Sequence, residues 1–124
     1  MSSQHAAKLG LRLADLPRIK GWGHRSAPIL LETKLSLSRG SDIIFPPVAM
    51  TMSDALGRAG FGCIDELNGL ETHDCFTVTE YMAIDHSGLT RPGESYKAVE
   101  EGRISLDGDF PINASGGLIG LGHP

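Results

Sequence analysis

His73-Asp74-Cys75-Phe76-Thr77-Val78-Thr79-Glu80-Tyr81 is the stretch on which the reading of this chain turns. The four residues before it, Gly69-Leu70-Glu71-Thr72, read as the centre of a strand. Thr77 to Glu80 reads as a capping box, in which the threonine side chain bonds the amide three residues on and the glutamate reaches back. Phe76 and Tyr81 take the two positions of a hydrophobic staple, and Gly88 ends the helix. A strand running into a capped helix puts His73 and Cys75 at the junction. Extended backbone there points both side chains one way and Asp74 the other.

Outward from this junction the pattern alternates. Towards the N-terminus, Met52, Ala55, Leu56 and Ala59 recur at helical spacing, with Gly60 at the C-terminal cap. Residues 62–68 form a turn region. Residues 26–47 are irregular, with apolar runs at 29–31 and 43–45, and Pro46-Pro47 closes them. Residues 18–24 read as a strand around Ile19 and Trp22, and Ala6, Ala7, Leu9 and Leu13 suggest a short amphipathic helix before Pro17. Towards the C-terminus, a short helix over 95–101 stops at Gly102, and 112–124 reads as an apolar, glycine-rich strand and turn. That order of elements predicts an α/β layered fold.

Composition narrows the function classes. The 124 residues carry a net charge of −4, with 40% hydrophobic residues. This excludes a disordered acidic tail, and the acidic balance argues against a nucleic-acid partner. No apolar run approaches the ~18 residues of a membrane span, and the start lacks the basic-then-apolar order of a secretory signal. Two cysteines without a CxxC fit a reducing, cytoplasmic setting rather than a disulfide scaffold. Sixteen glycines is nearly double the roughly 7% of average chains. Such an excess marks tight turns and close backbone approach.

Two places can carry chemistry. His73 and Cys75 on one face suit proton transfer, since imidazole stabilises a thiolate; the competing reading is a buried cysteine beside a satisfied core histidine. The second place is Gly116-Gly117-Leu118-Ile119-Gly120-Leu121-Gly122-His123-Pro124. Its glycines admit another backbone or a ligand. Pro124 biases His123 away from helical backbone and suits the first position of a following helix, whose positive end would keep the imidazole neutral and basic. A plain tight turn with an exposed histidine is the alternative, and a phosphate loop is disfavoured because no lysine or serine follows. His73, Cys75 and His123 are also three zinc-type ligands, but no CxxC or HxxxH spacing supports them, so no metal is expected. His5, His24 and His86 read as surface or structural histidines, and Cys63 as a small buried hydrophobe.

Together these segments resemble a thiolase. His73-Asp74-Cys75-Phe76 with Thr77-Val78-Thr79-Glu80-Tyr81 is similar to the motif of the sterol-carrier-protein-type thiolases. Asn113-Ala114-Ser115-Gly116-Gly117 through Gly122-His123-Pro124 is similar to the family's glycine-histidine-proline loop, with Ala114 where the family carries proline. The resemblance covers residues 17–124, while 1–16 form an unassigned N-terminal segment. It implies a thiolase-like layered αβαβα fold, of which this chain would hold an incomplete C-terminal half ending after the glycine-histidine-proline loop.

The implied activity is acyl transfer on coenzyme A thioesters, by Claisen condensation or thiolysis, with the nucleophilic cysteine on a separate N-terminal half. In that scheme His123 activates the nucleophile and donates to the thioester oxyanion. His73 polarises the same oxygen, and Cys75 moves the proton on the substrate's α-carbon. Gly116, Gly117 and Gly122 line the loop that coenzyme A approaches. The implied partners are an acyl-CoA substrate, the missing N-terminal half and further copies of the chain, with no permanently bound cofactor. The alternative is a non-catalytic thiolase-like module that binds acyl-CoA or a partner subunit.

Overall fold

Pro46 and Pro47, expected to close a loop, instead open the longest helix in a computed structural model that describes residues 2–123. Proline suits this place because its fixed φ is helical and its missing N–H would have had no partner. Six helices follow in chain order among the described residues: α1 (Ser3–Lys8), α2 (Leu31–Ser38), α3 (Pro46–Ala59), α4 (Thr77–Ser87), α5 (Ser95–Glu100) and α6 (Gly117–Leu121). Short 3₁₀ turns stand at Leu13–Asp15 and Ile64–Glu66. Helices α3, α4 and α5 end where the glycine signals at 60, 88 and 102 put them. Helix α2 occupies a stretch read as irregular. No helix among the described residues is long and apolar enough to cross a membrane.

The core lies where α3, α4 and α5 meet the loops that follow them. Ile64, Ile84, Leu89, Ala98, Phe110 and Ile112 are buried together, with Leu56, Leu67, Leu70 and Ile104 packed around them. His86 is a structural histidine, as expected. Its Nε2 accepts the Phe45 amide at 2.9 Å, which leaves Nδ1 to carry the proton toward the Met82 carbonyl at 2.6 Å. This ties α4 to the start of α3.

Helix α4 begins one residue earlier than the capping-box reading. Phe76 is the N-cap and Thr77 is already helical. The reciprocal bonds come from Thr79, whose hydroxyl accepts the Phe76 amide at 3.2 Å and donates to its carbonyl at 2.7 Å. Phe76 stays 71% exposed, so no packed staple forms. Tyr81 instead accepts the Tyr96 amide at 3.0 Å and joins α4 to α5.

The expected sheet is the largest correction. Among the described residues, strand pairing amounts to one isolated parallel bridge, Leu70 with Ile112. The expected strand over 18–24 pairs with a helix rather than a strand. A Cβ on Gly21 would stand 2.1 Å from the Ala55 carbonyl oxygen, and one on Gly23 would stand 1.9 Å from that of Thr51. Only glycine lets this backbone lie so close on α3. Arg58 stacks 4.1 Å over the Trp22 ring and donates to the Trp22 carbonyl, while Arg25 grips Asp54 at 2.8 and 3.0 Å. The segment after Ile112 is not a strand either; it turns and forms α6, with Ile119 fully exposed. Parallel sheets occur almost only with helices covering both faces, and the described residues supply one bridge.

That bridge is extended by side chains into a zipper between residues 70–80 and 111–118. Leu70 donates to the Pro111 carbonyl at 3.1 Å and accepts the Asn113 amide at 2.8 Å. Asn113, left-handed at φ 53, accepts the Thr72 amide through Oδ1 at 2.8 Å. Glu71 accepts the Ser115 amide and hydroxyl at 2.9 and 2.6 Å. Asp74 accepts the Leu118 amide at 2.9 Å, at the start of α6. Glu80, read as part of the capping box, instead faces the Asn113 side-chain amide at 3.5 Å.

Two predictions follow from the zipper. Gly117 has φ +57, and a Cβ there would fall 2.0 Å from the Asp74 carboxylate. Gly117→Ala should therefore cost about 1–3 kcal/mol in denaturant unfolding, from left-handed strain and the displaced Asp74 bond. An unchanged midpoint would show that the turn does not need glycine. The Glu80 carboxyl is held above its ordinary pKa, first by burial and then by the charge of Asp74, with the Asn113 amide opposing. The folded chain thus binds this proton more tightly than the unfolded chain does. Stability from this group is full below the unfolded value and is lost as pH rises through the folded one. Glu80→Gln keeps the acceptor and removes the charge, so its melting temperature should gain on wild type between pH 4 and pH 7. A gap that is constant or narrows with pH would contradict this.

Candidate functional site

The zipper delivers the two predicted chemical segments to one place. His73 and Cys75 lie on the non-helical stretch between the bridge and α4, and His123 follows α6. The rings of His73 and His123 meet edge to face, with centroids 5.1 Å apart at 79°. The ligand-type atoms of His73, Cys75 and His123 all lie within 4.8 Å of one another. These residues come from positions fifty apart in sequence, so their meeting is tertiary.

All three residues are exposed. The reading of Cys75 and His73 as buried core groups is therefore overturned. The Cys75 sulfur lies 3.7 Å from the Thr79 hydroxyl. That hydroxyl spends its proton on the Phe76 carbonyl, which leaves the thiol as the donor in the sulfur contact. Asp74, between the pair in sequence, is committed to the Leu118 amide. A cleft of about 250 Å³ opens beside His73, walled by Phe45, Val48, Thr72, Thr79, Met82 and Ala83.

The glycines of the loop divide by role. Gly117 makes room for the Asp74 carboxylate, and Gly116 adopts φ 99 as the N-cap of α6. Their demonstrated neighbours are protein groups. Gly122, at φ 86, turns the chain out of α6 towards His123. The expected effect of Pro124 on His123, and the helix it would begin, fall outside the described residues. Cys63 is exposed rather than buried, beside the Glu66 carboxylate at 3.9 Å.

Sequence reasoning missed the residues that build the site without belonging to it: Asp74, Asn113, Glu71 and Glu80. Asn113 had a usable signal, because asparagine tolerates left-handed backbone and bonds nearby amides in turns. The partnership of Asp74 with Leu118 had none, since no local rule links positions 44 residues apart.

Known proteins share parts of this sequence. Residues 31–124, most of the chain and including His73, Cys75 and His123, match the family described as thiolase C-terminal domain-like. An acetyl-CoA acetyltransferase of Methanothermobacter thermautotrophicus is 41% identical over 59 residues, 48% of this chain and 15% of its own length. Sterol carrier protein 2 of Bos taurus is 41% identical over 59 residues, 48% of this chain and 11% of its own. Benzoylsuccinyl-CoA thiolase subunit BbsB of Thauera aromatica is 32% identical over 60 residues, 48% of this chain and 16% of its own. The chain thus spans a small part of the relatives it matches. With its two motif segments brought together in space and its sequence matched over most of its length, the chain belongs to the thiolase C-terminal domain-like family.

Proposed function

We propose that this chain carries the acid–base and oxyanion groups of an acyltransferase acting on acyl-CoA thioesters, and that a second unit supplies the nucleophilic cysteine. The observation that carries this is the convergence of His73, Cys75 and His123 within 4.8 Å. Acyl transfer with carbon–carbon bond formation needs donors aimed at a developing oxyanion and a group that moves the α-proton. Two imidazoles and a thiol beside one another supply those types. His123 takes the proton of the incoming nucleophile and then, as a donor, faces the thioester oxygen. His73 donates to the same oxygen. Cys75 removes the α-proton in condensation and returns it in thiolysis.

The cleft beside His73 is where the acyl group would lie, since its wall is largely apolar side chains. The loop with Gly116, Gly117 and Gly122 would meet the coenzyme A portion. A layered αβαβα sheet would be completed only with the rest of such an enzyme. The two exposed thiols fit a reducing, cytoplasmic setting.

A second reading, a non-catalytic module that binds acyl-CoA or a partner, is favoured by α2. None of its residues is buried, and Leu31, Leu35 and Leu37 are 67%, 57% and 51% exposed. Apolar surface of this kind invites a partner subunit or another copy of the chain.

Thiolysis of acetoacetyl-coenzyme A separates the readings. The 124-residue chain alone should show no turnover, because removing the nucleophile from a cooperating set forfeits most of the rate. With a thiolase N-terminal half supplied in trans, activity should appear, and His73→Ala should lower kcat by about 10²–10³, the usual cost of one oxyanion donor. Turnover by the chain alone that His123→Ala abolishes would contradict the division of labour. Binding of the thioester without turnover in either format would establish the second reading.

A further inference from the structure

We propose that His73, Cys75 and His123 form a binding site for a thiophilic divalent cation, with zinc the best chemical match. The inference rests on the cluster's geometry and holds whether or not the acyl-transfer reading does.

Absence of ligand spacing argued against a metal in the sequence, but that argument concerns ligands that are neighbours along the chain. Here the ligands come from two segments, and the fold supplies the proximity. Two imidazole nitrogens and a sulfur stand within 4.8 Å of one another. A tetrahedral zinc with these ligands has edges of about 3.3–3.6 Å, set by bonds of roughly 2.0–2.3 Å. The ligand atoms must close by about 1 Å, and all three side chains are exposed. The donor set is soft and borderline, nitrogen with thiolate, which selects zinc or cobalt over magnesium or calcium.

Three protein ligands leave a fourth position for water. On binding, the Cys75 thiol becomes a thiolate and its proton passes to the buffer, while the two imidazoles bind as neutral bases. Metal binding thus releases protons, so affinity rises with pH. The two chemical states exclude each other. A metal on these atoms occupies the lone pairs that would move protons, so zinc would inhibit any acid–base activity of the site.

The neighbourhood supports the cluster in two ways. Asp74 fixes the start of α6 through the Leu118 amide at 2.9 Å, which sets how far His123 stands from His73. Once the thiol has lost its proton, the Thr79 hydroxyl, 3.7 Å from the Cys75 sulfur, serves the thiolate by turning its own proton from the Phe76 carbonyl to the sulfur. Cys63, on its own turn beside Glu66, is the internal control.

The test is a titration of the full chain, metal-free, with Co²⁺ as the spectroscopic probe and Zn²⁺ as competitor. The expected result is one Co²⁺ per chain, a near-ultraviolet thiolate-to-cobalt charge-transfer band, and its displacement by one equivalent of Zn²⁺. Cys75→Ser should abolish the band, and Cys63→Ser should leave it intact. His73→Ala and His123→Ala should each weaken binding by more than about tenfold, the lower end of what losing even an outer partner costs. Far-ultraviolet circular dichroism of each variant checks that the helices persist. Four outcomes would overturn the site: no charge-transfer band, a band that survives Cys75→Ser, unchanged affinity in both histidine variants, or one metal per two chains.

Discussion

The hydrogen bond from the Leu118 amide to the Asp74 carboxylate, at 2.9 Å, is the constraint on which the site's assembly depends. It joins the loop before α4 to the start of α6, and it is possible only because residue 117 has no Cβ. A carboxylate bonded to an amide at a helix start is a charge-assisted contact, stronger than a neutral one. The remaining links, Glu71 to Ser115 and Asn113 to Thr72, repeat the pattern one step closer to the Leu70–Ile112 bridge. Remove Asp74 from this series and the start of α6 loses its side-chain link to the segment that carries His73.

This arrangement explains how short helices joined by long irregular segments can hold a site drawn from distant sequence. The core under the bridge is assembled from Ile84 on α4, Ala98 on α5, and Phe110 and Ile112 on the returning chain. That core fixes one end of the zipper, and the carboxylate contacts extend it to the surface. The chemistry then sits on exposed side chains whose backbone is held from below. Such a site is well placed to meet groups from another unit, because its reactive atoms face outward.

Much of the helical structure was legible, for local reasons. The apolar spacing of Met52 to Ala59 and the glycines after α3, α4 and α5 act within a few residues of themselves, so they survive without tertiary context. The strands were not. Residues 18–24 have the composition of a strand, but Gly21 and Gly23 press their backbone onto α3, a partner no strand rule considers. Leu118 to Leu121 is apolar enough for a buried strand, yet its glycines and the Asp74 cap favour a single helical turn. For the site, residue types in motif order identified His73, Cys75 and His123, and the structure brings all three together. The groups that hold them were hidden, because Asp74 and Glu71 each act on an amide 44 positions away.

The most direct measurement of this account is the proton–proton nuclear Overhauser effect between the imidazole rings of His73 and His123. The full chain should show cross-peaks between the two rings, as centroids 5.1 Å apart require. Asp74→Ala should erase them while the signals of the core around Ile84 and Phe110 persist. Absence of the cross-peaks in the wild-type chain, or their survival in Asp74→Ala, would contradict the claim that this carboxylate assembles the site.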